Sequence, residues 1–144
     1  MIDDNSGHSI EKFMIGIGEL NVDTTPWEQP QEPAQPATRI IHYTHPVNAP
    51  MAPPFAKARK QQCLHKFGNA GLCLETCTVV EEVPMADCFV VEDRLWVHSH
   101  DTEEDGVGNG SMTTHLSVTF QIRFVKSTMF RRIIENTTRG EYKS

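Results

Sequence analysis

The sequence predicts an α+β domain: an antiparallel meander of four or five strands followed by one amphipathic helix that covers a face of the sheet. Three observations carry this expectation. In residues 111–124, Met112, Leu116, Val118, Phe120, Ile122 and Phe124 fall on one face while Ser111, Thr113, His115, Ser117, Thr119, Gln121 and Arg123 fall on the other, the alternation of a strand with one buried side. The period then changes to helical, with Met129, Phe130, Ile133, Ile134 and Thr137 on one side and Arg131, Arg132, Glu135 and Arg139 on the other. Turn signals separate the strand-like runs: Gly68-Asn69-Ala70-Gly71, Pro84 and Asn109-Gly110.

In chain order, residues 8–20 place Ile10, Phe13, Met14 and Ile17 at helical spacing, and Gly16 and Gly18 weaken that short helix toward its end. Residues 21–37 are polar and punctuated by proline, which predicts an extended loop anchored by Trp27. The first 37 residues thus read as a partial helix and a Pro-rich loop, 38–124 as the sheet, and 126–143 as the C-terminal helix. Within the sheet region, 38–45 is a strand and 46–54, PVNAPMAPP, is a loop, because its four prolines remove the donors a ladder needs. Strands are expected at 55–67 and 71–82. The latter is joined to 87–99 by a tight turn, Val83-Pro84-Met85-Ala86 or its neighbour, with Asp87 accepting backbone hydrogen bonds in it. Ser127 or Thr128 is placed to cap the last helix.

A chain of 144 residues is long enough to bury a core without disulfide staples. Its net charge of −6 argues against duplex nucleic acid as a partner, since basic side chains cluster only at Lys57, Arg59, Lys60 and at Arg131, Arg132. No run approaches the ~18 apolar residues of a membrane span, and the first residues are acidic where a secretory signal would be positive, so a soluble, cytoplasmic location is expected. Cys63, Cys73, Cys77 and Cys88 are read as packed thiols.

Chemistry-bearing motifs are sparse. The glycines of GVGNG lie between two strands, which suits a hairpin turn better than a phosphate loop. His98, His100 and Asp101 lack a fourth ligand at familiar spacing and read as a solvated strand end. No serine occupies a G-x-S-x-G elbow, and Glu81, Glu82 and Asp87 flank a turn without an oxyanion donor beside them. No catalytic residue, metal site or cofactor is expected.

One stretch carries more specific information. "EVPMADCFVVEDRLWV" resembles the signature V-P-Y-G-D-Y-F-x-V-E-x-R-W of VASt domains, the START-like lipid-transfer domains of the Aster and Lam sterol transporters and of plant GRAM-containing proteins. "RIIHYTHPVNAPMAPPFAKARKQQ" is similar to that family's strand, apolar loop and next strand, and "LSVTFQIRFVKSTMFRRIIENTT" to its last strand, lysine-containing bend and C-terminal helix. Pro26-Trp27 fits an upstream Pro-Trp or Ser-Trp position. The resemblance covers about residues 13–138. It departs at Met85-Ala86, where Tyr-Gly is usual, and at Cys88, where an aromatic is usual. Both ends are short against the family pattern, which leaves a truncated copy as one reading.

The resemblance implies a helix-grip fold (START-like, Bet v 1-like), with a curved antiparallel sheet wrapped on the C-terminal helix and an apolar cavity between them. It implies a non-enzymatic carrier of a sterol or similar lipid, with transient membrane contact at the cytosolic face of membranes, at endoplasmic reticulum contact sites if the family is followed. GRAM or membrane-anchor regions would be companions outside this chain. Leu116, Val118, Phe120, Phe130 and Ile134 are the expected cavity residues, Val47, Asn48 and Met51 the lid loop, and Pro84 and Asp87 the signature turn. From pattern alone, a solid core is the commoner outcome for the same apolar residues, and it is the resemblance that favours a cavity. The rival functions are a regulatory protein-interaction module with a closed cavity and, by fold analogy only, an enzyme on the same scaffold.

Overall fold

The computed structural model describes residues 9–48, 52–102 and 111–143. Among these, six antiparallel strands form one curved sheet in sequence order, β1-β2-β3-β4-β5-β6, with a short helix before it and a longer one after it. The elements are α1 Ile10–Gly16, β1 Leu20–Thr24, β2 Ala37–Pro46, β3 Phe55–Lys66, β4 Gly71–Glu81, β5 Phe89–Thr102, β6 Ser111–Phe124 and α2 Arg131–Lys143. The architecture is α+β and matches the helix-grip expectation. Six strands replace the four or five expected, because β1 lies inside the segment read as loop. Only Leu20 and Val22 in LNVDT are apolar, and a bulge at Asn21, with φ near 50°, interrupts the pairing between Leu20 and Asp23. The sheet therefore begins before residue 38.

Each connection has a local cause. The Ser9 hydroxyl accepts the Lys12 N–H at 3.3 Å and starts α1. Gly71 packs so closely on β5 that an added Cβ would stand 2.2 Å from the Val97 carbonyl oxygen, so only glycine fits the start of β4. Between β4 and β5, the Ala86 N–H donates to the Val83 carbonyl at 3.1 Å, closing the expected turn with Pro84 in its second position. Met85 then takes the left-handed position at φ 64°, which glycine would fill without strain. The C-terminal helix starts at Arg131, later than the expected 126, because an intervening corner must turn the chain back over the sheet. Thr128 Oγ1 accepts the Phe130 N–H at 3.2 Å and shapes that corner.

Pairing in register gives the sheet two distinct faces. Ile41, which is 0% exposed, packs with Met14, Tyr43 and Ala58, with Ile10 and Val22 against them, so α1 lies on this face. The same face holds α2, because Tyr142 stacks on Phe120 at a centroid distance of 4.2 Å and donates to Asp93 Oδ2 at 3.0 Å. This is the inner face. On the outer face charges pair among themselves: Glu75 takes Arg94 Nε at 2.9 Å and meets His65 Nε2 at 3.1 Å, and Glu92 takes Arg123 Nε at 2.9 Å and Gln121 Nε2 at 2.8 Å. His98, expected at a fraying end, instead lies within β5 and stacks on His115 at 5.4 Å. The four cysteines are free thiols; Cys73 and Cys88 are buried, and Cys63 and Cys77 half-buried.

Candidate functional site

The register arranges the inner face in rows that cross the strands. One row reads Ala37, Leu64, Leu74, Leu95, Val118, and beside it Leu72, Val97 and Leu116 continue the apolar surface. Neither helix seals this part: Leu116 is 65% and Val118 60% exposed. Single exposed leucines are ordinary, but neighbouring apolar side chains aligned over three strands form the kind of contiguous patch that marks a binding surface.

The adjacent row is polar: Arg39, Gln62, Thr76, Asp93, then Phe120. Arg39 Nε donates to Gln62 Oε1 at 2.7 Å, and Gln62 Nε2 reaches Thr76 Oγ1 at 3.4 Å. Gln62 and Thr76 are buried, so these bonds offset desolvation that would otherwise destabilise the sheet. Trp27, the expected anchor of the Pro-rich segment, holds the outer end of the row with its ring 4.3 Å from the Arg39 guanidinium. In the following row, Ile41, Lys60, Thr78, Val91 and Ile122, the buried Thr78 hydroxyl has no hydrogen-bond partner among the described residues.

The C-terminal end of α2 is held by polar contacts. Burial, reinforced by the Asp93 carboxylate, pushes the Tyr142 phenol well above its usual range; burial first, then Glu19, does the same for Tyr43. Both remain protonated donors at neutral pH. His45 Nδ1 sits 3.1 Å from both Glu19 oxygens, and its Nε2 lies 3.9 Å from Glu141 of α2. The Glu19 hydrogen bond raises the imidazole pKa, with burial and Lys60 opposing it.

Among the expected cavity residues, Leu116, Val118 and Phe120 share the inner face of β6, and Phe120 meets α2 through Tyr142. Ile134 is half-buried on α2, whereas Phe130 precedes the helix and is 41% exposed. The side of α2 that meets the sheet runs through Tyr142; Ile133 on the helix and Met129 before it, expected on the apolar side, are exposed. Of the lid residues, Val47 is half-buried, its N–H donating to the Pro54 carbonyl at 2.9 Å, and Asn48 is exposed; Met51 lies outside the described residues, as does GVGNG. Pro84 sits in its turn as expected. Asp87 pairs its carboxylate with Lys126, which, ahead of a backbone N–H bond in the turn, holds its pKa below the usual range. The long lysine side chain at the end of β6 reaches the carboxylate across the strand pair. Gln62, Thr76, Asp93 and Tyr142 were not among the expected site residues. Asp93 carried a signal, since it interrupts the apolar register Phe89, Val91, Leu95, Val97 of its strand.

This geometry, a curved sheet gripping a helix with an apolar strip beside a polar row, meets a match at the sequence level. The sequence model of the family described as VAD1 Analog of StAR-related lipid transfer domain (VASt) matches residues 1–141. The chain belongs to the VASt family. The VASt chain is also 27% identical over 129 residues to Protein VASCULAR ASSOCIATED DEATH 1, chloroplastic, of Arabidopsis thaliana, an alignment covering 89% of this chain and 20% of that protein. The VASt chain thus spans about a fifth of the length of that relative. No helix among the described residues is long and apolar enough to cross a membrane.

Proposed function

We propose that this VASt domain binds a single amphipathic lipid, a sterol foremost, on its inner face and carries it between membranes. The observation that carries the reading is the adjacency of the open apolar strip around Leu74, Leu95, Leu116 and Val118 to the polar row containing Gln62, Thr76 and Asp93. A sterol has a rigid apolar body and one hydroxyl. Burying ~300 Å² of such a body at ~25 cal/mol per Å² yields roughly 7 kcal/mol gross, the main favourable contribution set against the entropy of association. The hydroxyl would be oriented by the polar row or by the unpaired Thr78 hydroxyl.

Titration with a fluorescent sterol, followed by competition with unlabelled sterols and phospholipids, tests the reading. Saturable one-to-one binding, displaced by sterol in preference to phospholipid, is expected. Binding of neither lipid would reject it in favour of a protein-interaction module, and chemical turnover of the bound lipid would point to an enzyme.

A further inference from the structure

The two edges of the sheet are built differently. β1 is 5 residues long and bulged, and beyond it Glu28 bridges to Thr38 of β2, so that edge is short and broken. β6 runs for 14 residues in unbroken register with β5, and residues 111–124 contain no proline, glycine, lysine or carboxylate to discourage further pairing. Among the described residues β6 pairs with β5 alone, and residues 113–119 are exposed on both faces of the sheet. The Val125 N–H donates to the Cys88 carbonyl at 2.8 Å, which fixes the phase of the ladder. Odd-numbered residues of β6 bond to β5, and even-numbered ones turn their N–H and C=O groups to the open edge. The C-terminal helix leans inward from that edge, since the Tyr142 hydroxyl reaches back to Asp93 on β5 and Glu141 faces His45 on β2.

We propose that β6 pairs with β6 of a second copy of this chain, antiparallel about a two-fold axis at Val118, so that one sheet runs through both protomers of a dimer. An axis at the middle of the strand gives the longest overlap and sets even-numbered residues opposite even-numbered ones, so the outward N–H and C=O groups meet each other. The side chains match as well. On the inner face Leu116 stands opposite Phe120 and Thr114 opposite Ile122 across the axis; on the outer face Ser117 stands opposite Thr119. The one formal charge of the strand, Arg123, lies opposite Thr113, so no like charges meet. This self-complementarity is what selects a second copy as the occupant. A two-fold contact closes at two copies, and the short bulged β1 edge offers no equivalent strand for further growth. A single strand pair is a modest interface, so the dimer is expected to dissociate below about micromolar concentration. The pairing covers the edge and leaves the inner face open above it, so it does not depend on the lipid-carrier reading.

The test is sedimentation velocity of the full chain over about 1–100 µM, beside variants of the exposed outer-face residues Ser117 and Thr119, which the axis places opposite each other. Ser117→Lys/Thr119→Lys and Ser117→Glu/Thr119→Glu each put like charges face to face across the pair. The parent is expected to pass from monomer to dimer over this range, each variant alone to dissociate at least ~10-fold more readily, and an equimolar mixture of the two variants to recover the dimer. Recovery on mixing also shows that both variants fold. A parent that stays monomeric at the highest concentration, parental dimerisation of both variants, a mixture no more dimeric than its components, or parental assemblies that grow beyond two copies would each overturn the proposal. A dimeric parent that binds no sterol would reject the carrier reading and leave the pairing standing, and a monomeric parent that binds sterol would do the reverse.

Discussion

A carboxylate at position 118 separates a binding face from a core. Val118 lies opposite Leu95 on the inner face and is 60% exposed, so water already reaches the site in the free protein. Val118→Asp removes one cross-strand apolar pair, worth ~0.2–1 kcal/mol, and leaves the new charge hydrated. The expected loss of folding free energy is therefore below about 1 kcal/mol in a denaturant titration. A bound sterol changes the balance, because covering Val118 with the apolar ligand would strip water from the carboxylate at a cost of several kcal/mol. Even ~2.7 kcal/mol of that cost weakens binding ~100-fold. The expected variant is folded, close to parental stability, and weak in a fluorescent-sterol titration. A stability loss of ~3 kcal/mol or more would mean that this face packs as a core, and parental affinity in a stable variant would mean that the ligand sits elsewhere.

Three further outcomes follow from local chemistry. The folded-state pKa of His45 is raised above its ordinary 6.5, so its contribution is fully present below that value and is lost as pH rises through the higher folded pKa. Compared with His45→Gln, the parent's stability advantage should shrink from pH 6 to pH 8, and an advantage that grows over this range would contradict the Glu19 contact. Met85→Gly should raise stability by about 0.5 kcal/mol, since relief of the left-handed strain slightly exceeds the entropic cost of glycine; a clear loss would show that the Met85 side chain contributes more than its backbone costs. The Asp87 carboxyl is held below its ordinary value, so its contribution is present above that value and is lost as pH falls through the folded pKa. Asp87→Asn should lower the melting temperature slightly at pH 7, converge with the parent in acid and leave ligand preference unchanged; altered preference at unchanged stability would make it a ligand residue.

Much of the fold could be read from the sequence because its signals are local. The alternation from Leu116 to Phe124, the Gly68–Gly71 hairpin and the Pro84 turn each rest on a few consecutive residues, and the strand, hairpin and turn appear where expected, although Leu116 and Val118, on the side expected to be buried, are mostly exposed. The strand at Leu20–Thr24 was hidden because its one interior apolar residue, Val22, earns its place only by packing on Met14 and Ile41. The polar row is a different case. Gln62, Thr76 and Asp93 come from three strands and meet only through register, and in isolation each looks like an ordinary strand residue. The contact side of α2 also escaped the pattern, since Ile133 and Ile134 look equivalent by period and the rotation is set by the contacts of Tyr142 with Phe120 and Asp93 and of Glu141 with His45.

The central claim, that the inner face seats a lipid, is tested most directly by mapping where one binds. A photoactivatable sterol, cross-linked to the chain and located by peptide mass spectrometry, should label β4, β5 and β6 at the inner-face positions Leu74, Leu95 and Val118, and excess unlabelled sterol should suppress the label. Suppressible labelling confined to outer-face positions such as Arg94 and Thr119, or no suppressible labelling at all, would contradict the account.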